Sequence, residues 1–224
     1  MVRRTKAEAQ QTRNLILDAA ESVFERRGVS RTSLQEIAEA AGLTRGAIYW
    51  HFADKADLFN AMMERVTLPL EESVAGSGDP ALADPLAYAR QIFIDALAKT
   101  VGDPQVRRVF EIATHKVEYV DELRAVRDRH LRVRNQCLAH VERGLKAAIR
   151  RGQLSRRIAP RVMALGLHAL IDGLIQNWML DPTLFDLVDV GTQTLDAYLA
   201  GLAAPNAKAR LPDAVAKAGA VLGA

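Results

Sequence analysis

Hydroxyl, guanidinium and aromatic side chains are concentrated in one short segment of the chain, residues 44–51, TRGAIYWH. Such groups form hydrogen bonds with phosphate oxygens and with the edges of bases. The whole chain has only two Trp and four Tyr, so the adjacent Tyr49 and Trp50 indicate a surface that needs them. The residue types in this segment therefore predict contact with duplex DNA.

A helix-turn-helix unit is the element that would position these groups. The residues just before the segment carry apolar side chains at helical spacing: Leu34, Ile37, Ala38 and Ala41. Ser33 and Glu36 have the spacing of a capping box, and Gly42 permits the backbone angle that ends a helix. We expect Leu43 to be the buried pivot of the turn and Thr44 to cap the second helix, which would enter the major groove.

Ten positions in and around this unit are expected to contact DNA: Thr32, Ser33, Thr44, Arg45, Gly46, Ala47, Tyr49, Trp50, His51 and Lys55. Gly46 would bring the backbone close to a neighbouring surface, and Lys55 would meet a phosphate at the start of the next helix. Ile48, together with Ala47, is expected to pack the helix against its neighbours, and Phe52 is expected to be a core residue.

Charge is distributed unevenly along the 224 residues, whose net charge is only +3. The most basic stretch is residues 107–161, with fifteen Lys or Arg against six Asp or Glu. Because these charges interleave with apolar residues, they indicate the solvated face of a long helix rather than a second nucleic-acid site. The basic residues Arg3, Arg4 and Lys6 would either reach a DNA groove or form a solvated tail.

Several functional classes lack support in the sequence. No run of 18 apolar residues indicates a membrane helix, and the N-terminus has no apolar core of a signal peptide. The single Cys137 excludes a disulfide within the chain and suits the cytoplasm. The five His residues show no paired metal-ligand spacing, and no Gly-rich phosphate loop is present. We expect no enzyme activity, cofactor or metal.

Apolar residues recur every three or four positions throughout the chain, which predicts an all-α fold of about nine helices. Beyond the helix-turn-helix pair, the expected ranges are 6–27, 55–74, 85–101, 104–117, 121–151, 160–180 and 185–202. We expect a DNA-binding domain at residues 1–54, a ligand-binding and dimerisation domain at 55–203, and a flexible tail at 204–224.

The expected eighth helix reads RVMALGLHALIDGLIQNWML over residues 161–180 and is apolar almost all round. It would bury one face in its own chain and another against a second subunit. The ninth helix also has an excess of apolar residues. The two helices from each subunit would form a four-helix homodimer interface, with Gly166, Ala169 and Gly173 allowing close approach.

Asp172 lies within this apolar helix, where a buried carboxylate would need a bonded partner. It shares one helical face with Leu167, His168 and Ile171, a mostly apolar surface with a few polar points, as in ligand pockets. Two readings of Asp172 remain open: it lines such a pocket, or it bonds a neighbouring helix. His168 is more often a plain core residue.

Residues 13–59 resemble the N-terminal domain of the TetR family of transcriptional repressors. Within that family, MVRRTKAEAQQTR at the start and TRGAIYWHF resemble the repressors of multidrug efflux pump operons, the AcrR and TtgR type. The resemblance continues more weakly through HKVEY (115–119) and DGLIQNW (172–178). It implies a dimeric repressor on palindromic operator DNA that hydrophobic antibiotics, solvents or plant compounds release. The alternative is a family member that senses an acyl or signalling metabolite.

The resemblance also implies an effector pocket, by position-to-position correspondence with the efflux-pump repressors. Its expected lining residues are Val66, Leu70, Ile92, Phe93, Ala96, Phe110, Thr114, Cys137, Val141, Leu167, His168, Ile171, Asp172, Ile175 and Gln176. This sequence departs from those relatives at Phe110, Thr114 and Gln176, where they carry polar or charged groups. We therefore expect a more apolar pocket and a different set of effectors.

Overall fold

The computed structural model describes residues 6–79, 81–118 and 120–204, and within these ranges the chain is helical, with one isolated bridge between Leu154 and Ala203. The nine α-helices of these ranges are α1 (Lys6–Arg27), α2 (Leu34–Ala40), α3 (Arg45–His51), α4 (Lys55–Ala75), α5 (Pro85–Gly102), α6 (Pro104–His115), α7 (Arg124–Arg150), α8 (Pro160–Leu180) and α9 (Leu187–Gly201). The all-α prediction is confirmed. The expected flexible tail lies outside the described residues from position 205 onward.

Local hydrogen bonds move two helix starts from their expected positions. A 3-10 turn occupies Asp121–Leu123, so α7 begins at Arg124 rather than at residue 121. The Asp186 carboxylate accepts hydrogen bonds from the backbone N–H groups of Val188 and Asp189, both at 2.9 Å. Asp186 is therefore the N-cap, and α9 begins at Leu187 instead of Phe185.

The chain divides into two compact units. The N-terminal unit contains residues 6–68 and 105–132, and the C-terminal unit contains residues 69–104 and 133–204. The first division lies inside α4, next to Pro69, which has no N–H to donate to the helix. These two units are defined by the packing of their residues. The boundary expected between residues 54 and 55 separates DNA binding from ligand binding, and it stays a prediction.

The N-terminal unit is built around one apolar core to which α1, α2, α3, α4 and α6 all contribute. Ile16, Ile37 and Ile48 are fully buried. The rings of Phe24 and Phe59 lie 6.1 Å apart in a tilted arrangement. Because Ile48 fixes one face of α3 in this core, the opposite face of that short helix is left outside it.

The C-terminal unit packs α5 and α8 against α9. Gly191 in α9 leaves room for Leu97 of α5, whose side chain would overlap a β-carbon at that position. The hydroxyl of Tyr198 in α9 donates a hydrogen bond to the backbone carbonyl of Met163 in α8, at 3.1 Å. These close approaches hold the three helices as one block.

Helix α8 buries only one of its faces in the described chain. Met163, Leu167 and Ile171 lie in the core of the C-terminal unit. On the other side, Val162 is 59% exposed and Leu165 is 54% exposed. Val162 and Leu165 are three positions apart and so are neighbours in an apolar row on the exposed side of α8.

Candidate nucleic-acid interface

The first helix of the candidate interface, α2, begins at a complete capping box. The Ser33 hydroxyl accepts from the backbone N–H of Glu36 at 3.3 Å, and the Glu36 carboxylate accepts from the Ser33 N–H at 2.8 Å. The hydrogen bond from the Ser33 backbone, followed by that from its hydroxyl, lowers the pKa of Glu36. Arg27 adds an ion pair to the same carboxylate.

The turn after α2 is a Schellman motif. Gly42 has a φ of +68°, and its N–H donates to the Glu39 carbonyl at 3.0 Å. The N–H of Leu43 donates to the Ala38 carbonyl at 2.9 Å. Only glycine adopts this φ readily, so Gly42 is what lets the chain turn between the two helices. Leu43 is half-buried rather than the fully buried pivot that we expected.

The second helix, α3, is capped and anchored by a few local contacts. The Thr44 hydroxyl accepts from the Ala47 N–H at 3.3 Å. Ile48 has no exposed surface, and Phe52, the C-cap residue, is only 1% exposed, as expected of a core residue. Anchoring by Ile48 and Phe52 fixes which side of α3 faces outward.

The outward side of α3 carries the groups that the sequence indicated. Tyr49 is 47% exposed and Trp50 is 71% exposed, which is unusual for such large apolar rings. The Arg45 guanidinium lies over the Tyr49 ring, 5.4 Å from its centroid. The rings of Trp50 and His51 meet edge to face at 4.5 Å. A β-carbon at Gly46 would lie in open space, 4.0 Å from the Thr44 hydroxyl.

Thr32 lies away from this exposed surface. It is 2% exposed, and its hydroxyl donates a hydrogen bond to the Gly28 carbonyl at 2.8 Å. The hydroxyl thus stabilises the loop between α1 and α2, while the neighbouring Ser33 is exposed. Of the two residues, Ser33 is the one that is exposed, and its expected DNA contact stays a prediction.

Lys55 differs most from its expected role. Its ammonium is buried and donates to the carbonyls of Ser30 and Thr32, at 3.0 and 2.9 Å. A carboxylate oxygen of Glu122 lies 3.2 Å away. Since an ammonium has three N–H donors, these partners occupy it fully. Lys55 therefore holds the loop before α2, and the expectation of a phosphate contact is corrected.

Arg13 is a residue near the interface that the sequence reasoning missed. Its guanidinium lies 5.0 Å from the centroid of the Phe52 ring, at the end of α3. The two residues are far apart in sequence, so no local spacing signals the contact. A cation over an aromatic ring adds to the anchoring of α3.

The fifteen positions expected to line an effector pocket are divided between the units. Val66, Phe110 and Thr114 belong to the N-terminal unit, and the other twelve belong to the C-terminal unit. Within the C-terminal unit, four of the twelve are buried in one apolar cluster, namely Phe93, Val141, Leu167 and Ile171. Cys137 and Ile175 pack against that cluster, so half of the twelve share one apolar environment.

The polar members of the expected pocket have other surroundings. Asp172 is exposed in the described chain and accepts a hydrogen bond from the side chain of Gln176 at 2.7 Å. The expectation that this carboxylate is buried is therefore corrected. In the described chain it is exposed and hydrated, so it needs no partner from a neighbouring helix. His168 is half-buried. Burial raises the pKa of the Cys137 thiol to about 11, with a smaller contribution from Glu71, so this thiol stays neutral.

Helix-turn-helix geometry, an outward-facing second helix and a separate helical unit define a class of protein: a DNA-binding regulator. Two family models match the chain. The model described as bacterial regulatory proteins, tetR family, matches residues 16–62. The model described as MAATS-type transcriptional repressor, C-terminal region, matches residues 84–203.

Known proteins and solved structures give the same assignment. The transcriptional regulator TtgR of Pseudomonas putida is 40% identical over 188 residues, which cover 84% of this chain and 90% of TtgR. NalD is the secondary repressor of the MexAB-OprM multidrug efflux pump in Pseudomonas aeruginosa. Its sequence is 36% identical to this chain, and its crystal structure matches with a TM-score of 0.80. The match covers 87% of this chain and 98% of NalD. SmeT, the repressor of the Stenotrophomonas maltophilia multidrug efflux pump SmeDEF, in complex with triclosan, is 32% identical with a TM-score of 0.81. That structure covers 92% of this chain and 97% of SmeT.

The chain belongs to the TetR family of transcriptional regulators. It is a regulator with a helix-turn-helix DNA-binding domain and not an enzyme. Within the described ranges, none of the helices is long and apolar enough to span a membrane.

Proposed function

We propose that this protein is a dimeric repressor of a multidrug efflux pump operon, which binds a palindromic operator and leaves it when a hydrophobic small molecule binds. The observation that carries the proposal is the exposed face of α3, on a chain whose relatives NalD and SmeT repress such pumps. Arg45 and the two aromatic rings supply phosphate and base contacts. Two copies of α3 in a two-fold dimer would enter successive major grooves, about 34 Å apart.

The dimer contact that we propose is formed by α8 and α9. Val162 and Leu165 provide an exposed apolar row on α8, and a second subunit would cover it. At about 25 cal/mol per Å², burial of such side chains stabilises a helical interface. The same row in both subunits suits an isologous two-fold interface.

The effector, in this proposal, binds among the apolar side chains of the C-terminal unit, near Phe93 and Ile171. An apolar lining selects hydrophobic compounds by burial rather than by specific hydrogen bonds. Triclosan, which is bound in the SmeT complex, is a suitable first probe. The protein would have two conformations, one with high and one with low affinity for the operator. Release requires only that the effector binds more tightly to the conformation with low operator affinity.

The experiment begins with selection of duplexes from a random library by the full chain. We expect selected sequences with two symmetric half-sites whose centres are one helical turn, about 10 base pairs, or a multiple of it apart. Fluorescence anisotropy then measures affinity for that duplex with and without triclosan, and we expect a loss of about tenfold or more. Selection of no common sequence would reject the DNA-binding part. If an acyl compound lowered the affinity for the duplex while triclosan and antibiotics left it unchanged, the result would favour a metabolite sensor.

A matched pair of variants tests the dimer contact. Leu165 on α8 and Leu15 on α1 are each 54% exposed, so glutamate at either position places a charge at an equally open site. Analytical ultracentrifugation should show that Leu165→Glu shifts the protein towards monomer, whereas Leu15→Glu leaves the dimer intact. Equal behaviour of the two variants would rule out α8 as the contact.

A further inference from the structure

The connection between α7 and α8, together with the helix ends on either side of it, is unusually rich in arginine. Residues 150–161 read RRGQLSRRIAPR, with five arginines, no lysine and no acidic residue. We call these residues the arginine loop. Helix α7 ends at Arg150, so the solvated helical face that the sequence predicts for residues 107–161 does not extend through this loop. The arginine loop belongs to the C-terminal unit and is separate from the helix-turn-helix.

Two side chains hold the arginine loop against the segment before α5. Arg151 donates hydrogen bonds to the backbone carbonyls of Leu82 and Ala83, at 2.6 and 2.5 Å. Gln153 is only 5% exposed, and its side-chain amide donates to the Asp84 carboxylate at 2.8 Å. The backbone that carries the remaining arginines is therefore attached to the C-terminal unit at fixed points.

The four remaining arginines of the loop are exposed, namely Arg150, Arg156, Arg157 and Arg161. Among the residues that the structure describes, none is hydrogen-bonded or ion-paired to their guanidinium groups. Like charges this close along the chain repel one another and create a positive field at the surface. An anionic partner would relieve that repulsion.

The residue types in the arginine loop favour the phosphates of duplex DNA over other anionic partners. A guanidinium presents a planar fork of N–H donors that matches two oxygens of one phosphate. Each DNA strand carries a phosphate about every 3.4 Å, so several neighbouring arginines can be paired at once. The loop has no aromatic side chain for stacking on unpaired bases. Ile158, which is 40% exposed, offers too little apolar surface for insertion into lipid.

We propose that the arginine loop is a second DNA-contact surface, which binds backbone phosphates of a duplex segment other than the one that α3 reads. Phosphates lie on the outside of a duplex, so guanidinium groups on a loop reach them without a helix in the major groove. The contact is therefore independent of sequence and sensitive to salt. It goes beyond the proposed function, because a protein that holds two duplex segments bridges them.

A capture assay with two duplexes tests the inference on the full chain. A biotinylated selected duplex on beads is saturated with protein, excess protein is washed away, and a labelled duplex of unselected sequence is titrated in. The loop variant is Arg150→Gln with Arg156→Gln and Arg157→Gln. Arg161 stays in place because it adjoins Val162 of the proposed dimer contact.

A control variant removes the same number of charges from exposed arginines on α7. It combines the substitutions Arg124→Gln, Arg127→Gln and Arg132→Gln. Arg124 and Arg127 already have acidic neighbours, Asp121 and Asp128, at 3.8 and 3.7 Å. These arginines should therefore contribute little to the capture of a second duplex.

We expect wild type and the control variant to capture the labelled duplex, and the loop variant to lose about tenfold or more in affinity for it. The slope of log affinity against log salt should become shallower by about one for each lost phosphate contact. Affinity for the selected duplex should not change, because that duplex is held by α3. Urea unfolding should give similar stabilities for all three proteins, since every substituted arginine is exposed.

Three results would overturn the inference: no capture by wild type, capture retained by the loop variant, or an equal loss in the loop and control variants. The last of these would indicate bulk charge. Vesicles of phosphatidylglycerol provide a further arm, and wild type that binds these vesicles but captures no duplex would assign the loop to a lipid surface instead. If selection yields no common sequence, the beads carry an unselected duplex, so failure of the proposed function is distinguishable from failure of this inference.

Discussion

The guanidinium of Arg45 lies over the ring of Tyr49, one turn further along α3, at 5.4 Å from the ring centroid. One of its nitrogens is also 3.4 Å from the Tyr49 hydroxyl. This pairing keeps the long arginine side chain along the exposed face of the helix. Stacking on the ring already restricts the rotamers of Arg45 in the free protein. Less conformational entropy is therefore lost when the arginine contacts DNA, and the pair is preorganised for that contact.

Arg45→Ala should therefore weaken binding to the selected duplex by about tenfold or more, since a good base contact contributes about 1–3 kcal/mol. The thermal unfolding midpoint should barely change, because Arg45 is exposed. Anisotropy and circular dichroism measure the two quantities. Arg156→Ala, at an exposed arginine of the C-terminal unit, is the control and should retain affinity. A loss in both variants would indicate bulk charge rather than recognition.

Gly46 gives a prediction in which stability and binding change in opposite directions. A methyl group there meets no neighbour closer than 4.0 Å, so Gly46→Ala should fit the fold. Alanine is the better helix former, and we expect the variant to be more stable by about 0.5–1 kcal/mol. If DNA approaches the backbone at this position, the added methyl should weaken duplex binding severalfold.

Urea unfolding and anisotropy test the Gly46 variant, with Gly102→Ala as its control. A methyl carbon at Gly102, the last residue of α5, would likewise meet no neighbour within 4 Å, but this position lies in the C-terminal unit. The control should leave duplex affinity unchanged. Full affinity in Gly46→Ala would mean that the backbone of α3 does not closely approach DNA.

Much of the fold and of the exposed recognition surface was predictable because the signals are local. Capping residues, Gly42 and the apolar spacing of α2 act within a few positions, and they place α3 correctly. Tyr49 and Trp50 were recognisable because two large rings in a short helix with one buried residue must largely face outward.

Lys55 and Glu21 were not predictable because their partners are distant in sequence. The ammonium of Lys55 meets carbonyls 23 and 25 positions earlier, and the buried carboxylate of Glu21 in α1 meets the side-chain amide of Gln105, 84 positions later. Neither spacing leaves a periodic pattern. The apolar residues around Asp172 predict a buried carboxylate, yet Asp172 lies on a side of α8 that is exposed in the described chain.

The position of Lys55 predicts that it stabilises the fold rather than binding a phosphate. Lys55→Met would leave the carbonyls of Ser30 and Thr32 without their donor, at a cost of about 1–3 kcal/mol. We expect a lower free energy of unfolding in urea, with duplex affinity at 10 °C close to that of wild type. Lys99→Met, at a half-exposed i, i+4 ion pair, should cost far less stability. A Lys55 variant with normal stability and lost affinity would restore the phosphate role.

The C-terminal unit depends on the pair between Arg90 of α5 and Asp196 of α9, which meet through two bonds of 2.6 and 2.9 Å. The hydrogen bond to Asp196 outweighs burial and raises the pKa of Arg90, so the arginine stays charged. Asp196→Ala leaves that charge without its partner in a largely buried site, and we expect a loss of about 3 kcal/mol.

Differential scanning calorimetry and urea unfolding measure that loss, and Lys99→Ala serves as the control. Lys99 pairs with Asp103 at 3.2 Å, but both side chains are more than a third exposed, so removal of this lysine should cost less than about 1 kcal/mol. The double variant Arg90→Leu with Asp196→Leu removes both charges and should recover part of the stability. If Asp196→Ala were no more destabilising than Lys99→Ala, the α5–α9 contact would depend on its apolar packing around Leu97 and Gly191 instead.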